Sequence, residues 1–186
     1  MGNARRHVHD VGVAPPDPLR ALLDAAIEGD DVAVAALVRA TQPAIWRMCA
    51  RLGDAAEVED LVQETYIRAL GALDSYRGDA PTLVWLLSIA RRVCADHVRR
   101  QQRRRRLHDR LVARRSATAT QAPEIVDDLI DQLTPDRREA FVLTQLVGLS
   151  YEEAAQAIGC PLCTVRSRVA RARADLMRTL ARAEQR

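Results

Sequence analysis

The chain has 186 residues, room for one domain or two small ones, and a net charge of only +3 carried by 28 basic residues that are all Arg. Aromatic residues make up 3% and glycines number eight, while Ala, Leu and Val dominate, so helices are favoured over sheet. So small a net charge excludes nucleic-acid binding by bulk attraction and leaves only local Arg clusters to supply it. No apolar run is long enough for a membrane span and no signal peptide is visible. A reduced, cytoplasmic setting fits the scattered Cys49, Cys94, Cys160 and Cys163.

Residues 1–18 lack periodicity and read as a disordered arm. Leu19 to Glu28 predicts a short helix that ends at Gly29. A second helical region follows Asp30 or Asp31, with Val34, Val38, Ile45, Cys49 and Leu52 at helical spacing, Pro43 as a kink or break, and Gly53 as its stop. Asp54 is placed to cap the next helix, which runs to about Leu70 with Val58, Leu61, Val62, Ala69 and Leu70 as its buried stripe. Glu57, Asp60 and Glu64 line another face, with Gln63 beside them. That face is either a solvated acidic surface or a docking face for a basic partner.

Tyr76 to Pro81 predicts a turn, since Gly78, Asp79 and Pro81 all favour one. A long helix follows, with Trp85, Leu86, Ile89, Val93 and His97 on one side and Arg91, Arg92, Arg99 and Arg100 on the other. Its arginines suit a nucleic-acid surface, while Trp85 equally suits the core. From Arg99 to Arg115 the chain carries nine Arg against one Asp, a block that needs phosphates or an acidic surface to neutralise it. Ser116 to Pro123 reads as a flexible linker. The expected organisation is an all-α chain of two small helical domains, residues 19–106 and 124–186, joined by a basic and polar linker at 107–123.

In the second group, Ile125, Leu129 and Leu133 are spaced four apart, and Thr134-Pro135 forms a helix start. Val142, Leu143, Leu146 and Val147 are its expected buried side. Ser150 and Glu153 then form a capping box, Gly159 supplies a left-handed C′ stop, and Pro161 falls in the first turn of an Arg-studded helix with Val165 and Val169 on one face. This is a helix-turn-helix pattern whose second helix fits a DNA major groove; the plain alternative is a helical hairpin with solvated arginines. Cys160 and Cys163 lack the further ligands of a structural zinc site and read as packing residues; His7 and His9 lie in the unpatterned arm.

In the order and spacing of these pieces, from about Leu19 to Ala181, the chain resembles an extracytoplasmic-function sigma factor of bacterial RNA polymerase. EDLVQETYIRAL resembles sigma region 2.2, YRGDAPTLVWLLSIARRVCADHVRR regions 2.3 and 2.4, and LTPDRREAFVLTQLVGLSYEEAAQAIGCPLCTVRSRVARAR regions 4.1 and 4.2. The resemblance implies that Asp60, Gln63 and Glu64 dock on the clamp helices of the polymerase β′ subunit, and that region 4 meets the β flap. It implies that Tyr76, Arg77, Gly78, Asp79, Ala80, Thr82 and Trp85 serve −10 recognition and single-strand capture, with Arg91, Arg92, Arg99 and Arg100 on the DNA backbone. Cys163, Thr164, Arg166, Ser167, Arg168 and Arg171 would meet the −35 duplex. The family usually has an aromatic, a basic and a hydroxyl residue at positions 82 to 84, where this chain has Thr82, Leu83 and Val84, and Gly at position 163, where it has Cys163.

No nucleophile–base pattern, phosphate loop or clustered metal ligands are visible, so recognition and strand opening are expected rather than catalysis, with no cofactor and no metal. The free protein is expected to be a monomer. An anti-sigma partner is common in the family, and nothing in the sequence identifies one. One rival reading is a stand-alone helix-turn-helix regulator of duplex operators, which leaves the EDLVQET face unexplained; the other is an adaptor that sits on polymerase without reading promoters, which would not need the Arg-rich recognition helix.

Overall fold

A computed structural model describes residues 17–111 and 129–184. Most of the expected arm, Ile125 and the Ser116–Pro123 linker lie outside the described residues. The described residues form helices and turns without a strand: α1 (Arg20–Ile27), α2 (Asp31–Leu52), α3 (Val58–Leu70), α4 (Thr82–Leu111), α5 (Pro135–Phe141), α6 (Tyr151–Ile158) and α7 (Leu162–Glu184). Residues 129–131 are also helical. The all-α expectation holds, although α4 continues through Leu111 into the stretch read as linker.

Asp30 caps α2, its carboxylate accepting from the backbone N–H groups of Val32 and Ala33. Pro43 does not divide α2. A proline inside a helix costs about 3 kcal/mol, and apolar burial on both sides of it offsets that, with Leu37, Ile45, Met48 and Cys49 all at most 3% exposed. The inner line of α2 is Ala33, Leu37, Thr41, Ala44, Ile45, Met48 and Cys49; Val34, Val38 and Leu52, expected inside, are only half-buried. Thr41 enters the core because its hydroxyl donates to Leu37 O and meets Tyr66 Oη at 2.8 Å.

In α3, Val58, Leu61, Val62 and Ala69 are buried as expected, but Leu70 is 41% exposed. Thr65 is buried instead, its hydroxyl donating to Leu61 O. On α4 the buried surface is wider than one stripe. Val84, Leu87, Ala90 and Cys94 join Leu86, Ile89, Val93 and His97, because α4 packs against α2, α3 and α6 together.

After α5 the helix loosens into a π turn over Val142–Leu146. Val142 and Leu143 are fully buried, while Leu146 and Val147 are only half-buried. The wider turn rotates these last two off the line that an unbroken helix would give them. The helix-turn-helix forms as its local signals dictate. Ser150 N–H donates to Glu153 Oε2 at 2.8 Å, Glu153 N–H donates to Ser150 Oγ at 3.1 Å, and Gly159 closes α6 at φ +76°.

The two helical groups are packed on each other rather than separate. A single apolar cluster runs from Leu37, Ile45 and Leu87 to Leu143, Ala154 and Ile158. α6 lies against α4, the π turn lies against α2, and Arg47 donates to Leu146 O at 3.2 Å.

Candidate nucleic-acid interface

Three surfaces carry the residues singled out by sequence. The first is the outer face of α3. Asp60 and Gln63 are exposed. Glu64 is half-buried and accepts from Arg68 at 2.8 Å, and Arg68 also reaches Asp96 at 3.2 Å. Asp60 and Gln63 therefore point outward, whereas Glu64 is held in an internal pair. Beside them, the Trp46 ring is 40% exposed and borders a cleft with Glu59 and Asp60. Sequence reasoning missed Trp46. Its signal was phase: position 46 falls between the core positions 45 and 48, so its ring points away from the core.

The second surface is the turn before α4. Gly78 adopts φ +77°, which a side chain would strain. Tyr76 Oη donates to Ala80 O at 2.7 Å and so ties the turn across its base. The Tyr76 and Trp85 rings meet edge-on at 5.2 Å, and the Arg20 guanidinium lies 5.2 Å from the Tyr76 centroid. Arg77, Gly78 and Asp79 are exposed; Tyr76, Ala80 and Trp85 are half-buried. Arg20 is thus a cation–π neighbour of Tyr76, absent from the sequence reading.

Thr82 departs from its expected placement at a DNA surface. It is fully buried, and its backbone N–H and hydroxyl both donate to Asp17 Oδ2 at 2.6 Å. Asp17 thereby caps the first turn of α4 from far back in the chain. Partial burial pushes the Asp17 carboxyl up, but the hydrogen bonds from Thr82 and Leu19 together with nearby Arg20 hold it below its ordinary value. Farther along α4, Arg92, Arg99 and Arg100 are exposed. Arg91 is half-buried in an ion pair with Glu139 of α5, Nε to Oε1 2.5 Å.

The third surface is α7. Val165, Val169 and Ala172 are buried, so the opposite side faces out. Cys163, Arg166, Ser167 and Arg171 form that exposed stripe, with Thr164 half-buried at its edge. Arg166 lies 3.9 Å from Glu152 in a loose, exposed pair. Arg168 stands apart from the stripe: it is half-buried and donates to Asp136 at 2.5 Å, bracing α7 against α5. The stripe offers guanidinium forks and a hydroxyl at the spacing of a major-groove helix.

Family models match in the same order as the surfaces. Sigma-70 region 2 covers residues 37–104, and Sigma-70 region 4 covers residues 124–176. The chain is 42% identical over 167 residues to the ECF RNA polymerase sigma factor SigC of Mycobacterium tuberculosis, covering 87% of this chain and 90% of that protein.

The chain belongs to the extracytoplasmic-function sigma factors of bacterial RNA polymerase.

The ECF RNA polymerase sigma-E factor of Escherichia coli is 34% identical over 169 residues, with 82% of this chain and 88% of that one covered. Among solved structures, CnrH in complex with the cytosolic domain of CnrY superposes with a TM-score of 0.70 at 30% identity, over 87% of this chain and 96% of that one. The sigma factor RpoE bound to the anti-sigma factor NepR from Bartonella quintana gives 0.66 at 29% identity, over 77% and 94%. As an ECF sigma factor, this protein works with RNA polymerase in promoter recognition and transcription initiation. Among the described residues no helix is long and apolar enough to cross a membrane.

Proposed function

We propose that this sigma factor docks on the polymerase clamp through Asp60, Gln63 and Glu64, reads the −35 duplex with the outer stripe of α7, and captures −10 bases at the Tyr76–Ala80 turn. The observation that carries the reading is the α7 stripe. Cys163, Arg166, Ser167 and Arg171 are outward while Val165 and Val169 hold the helix from behind. An Arg bidentate to guanine contributes about 1–3 kcal/mol of base discrimination. Arg92, Arg99 and Arg100 act on backbone phosphates and fix register without reading sequence. Arg168 and Thr82, bound to Asp136 and Asp17, act as braces of the two DNA-facing elements.

The protein acts in the cytoplasm by binding rather than by catalysis. CnrH was solved with the cytosolic domain of CnrY and RpoE with the anti-sigma factor NepR, which supports control of this chain by an anti-sigma protein as well. Region 2 spans residues 19–106 and region 4 residues 124–186 in this assignment.

The test is Asp60→Arg in reconstituted transcription with bacterial core polymerase. The variant is expected to lose co-purification with core while its circular dichroism and thermal midpoint stay at wild-type values. Holoenzyme assembly at wild-type affinity would overturn the docking assignment. Tight, sequence-specific binding of duplex DNA without core would favour a stand-alone regulator.

A further inference from the structure

Ahead of α3 the chain makes a short turn, Ala55–Glu57, capped by Asp54. His97 rises to the same place from α4, its side chain only 9% exposed. One donor atom each from Asp54, Glu57 and His97 lies within 4.8 Å of the others. Between them sits the amide nitrogen of Gln101, one turn beyond His97. It is 3.2 Å from Asp54 Oδ2, 3.3 Å from Glu57 Oε1 and 3.4 Å from His97 Nε2. An amide nitrogen carries two protons, enough for the two carboxylate oxygens; His97 Nε2 is a third acceptor in the tautomer whose Nδ1–H faces Glu57 Oε2 at 3.5 Å. The three contacts lie at or just beyond the upper end of the ordinary hydrogen-bond range. Two carboxylates and a buried imidazole thus surround one point.

We infer that Asp54, Glu57 and His97 form a binding site for one divalent transition-metal ion of the zinc class, with the Gln101 carbonyl or a water as the fourth ligand. In tetrahedral zinc sites, bonds of about 2.0–2.1 Å hold donor atoms about 3.4 Å apart. Donors already within 4.8 Å of one another reach that spacing by side-chain rotation, since Asp54 and Glu57 are only half-buried on a short turn. Turning the Gln101 amide over replaces Nε2 by Oε1 and converts the competing donor into a ligand. Imidazole with carboxylate suits zinc and its neighbours, whereas magnesium and calcium prefer oxygen shells.

A cavity of about 240 Å³, lined by Glu57, His97 and Gln101 with Arg100 and Arg104 also on its wall, opens onto two of the three ligands. Asp60 and Glu64 line the same cavity, so a bound ion would sit beside the proposed clamp-docking face and pin the start of α3 to α4. The site itself stands on geometry and does not depend on that docking assignment. The ligands come from two segments far apart in the chain, which is why no ligand cluster is visible in the sequence.

The test uses the full chain, reduced and freed of metal with a chelator. Zn²⁺ is titrated by calorimetry and Co²⁺ by absorption. One equivalent is expected to bind with a dissociation constant on the order of micromolar. The cobalt spectrum is expected to lack thiolate charge-transfer bands, and zinc is expected to raise the thermal midpoint. Glu57→Gln and His97→Gln should each weaken binding by about tenfold or more. Glu57 is half-exposed, so its variant remains informative even if replacing buried His97 unfolds the protein. Replacing both Cys160 and Cys163 by Ser should leave binding unchanged. The proposal is overturned by no binding at about 1 mM Zn²⁺, by binding that survives Glu57→Gln, or by binding lost when Cys160 and Cys163, or His7 and His9, are replaced.

Discussion

Arg91 of α4 and Glu139 of α5 are joined by an ion pair of 2.5 Å that crosses from the region 2 helices to the region 4 helices. Their side chains are 31% and 16% exposed, so the pair is partly desolvated and stronger than a surface contact. Breaking it is expected to cost about 1–2 kcal/mol. Arg91→Ala or Glu139→Gln should lower the thermal midpoint and raise the radius of gyration measured by small-angle scattering. The charge-swapped double variant, Arg91→Glu with Glu139→Arg, should recover part of both. A double variant as expanded as the singles would show that the apolar contact of α6 with α4 alone holds the two groups together. The resemblance implies Arg91 at promoter phosphates, and Glu139 would have to release it for that contact.

Asp17 gives a pH-dependent prediction. Its folded carboxyl titrates below its ordinary value, because hydrogen bonds from Thr82 and Leu19 and nearby Arg20 outweigh the upward push of burial. A depressed folded value means that the stabilisation is present above the unfolded value and is lost as pH falls through the folded one. Asp17→Ala should cost about 1–2 kcal/mol near neutral pH. The gap from wild type should close as pH falls below about 4. Urea unfolding across that range checks it, and a gap that stays constant would remove the capping role.

Two glycines should respond to alanine for opposite reasons. At Gly53 the backbone is extended and unstrained, but an added Cβ would lie 2.2 Å from Leu61 Cδ1 and 2.8 Å from Cys49 O. Gly53→Ala should destabilise by about 1–3 kcal/mol through overpacking, and trimming Leu61 should relieve part of it. At Gly159 an added Cβ meets nothing within 4 Å, but φ is +76°. Gly159→Ala should cost about 1 kcal/mol through backbone strain alone, and Gly159→Asn less. Chemical denaturation separates the two cases.

The cysteines should react in an order set by access. Cys163 is exposed, Cys160 is half-buried, and Cys49 and Cys94 are buried with sulfurs 3.8 Å apart. The neighbouring Cys49 sulfur and burial both push the Cys94 thiol up, away from its reactive thiolate form. A thiol reagent followed by mass spectrometry should label Cys163 first and Cys94 only in denaturant. Protection of Cys163 by −35 duplex in the holoenzyme would place that residue at the DNA.

What the sequence determined by itself was local. The capping box of Ser150 and Glu153, the left-handed Gly159 and the Val165–Val169 spacing each act within one or two helical turns, so their residue types dictate the helix-turn-helix before any packing. The acidic outer face of α3 is local in the same way, because helical spacing alone aligns Asp60 and Glu64. Contacts between distant segments were decided only by the tertiary structure. Which of two adjacent lines on α2 turns inward depends on how α1, α3 and α4 surround it, so Leu37 and Met48 went in while Val34 and Val38 stayed at the margin. Thr82 and Arg168 carry types that suit DNA, yet Asp17 and Asp136 hold them as braces. The meeting of Asp54, Glu57 and His97 likewise needs two helices packed at one angle. Hydrogen bonds and charge pairs act over a few ångströms of space, and only the packed fold decides which residues come that close.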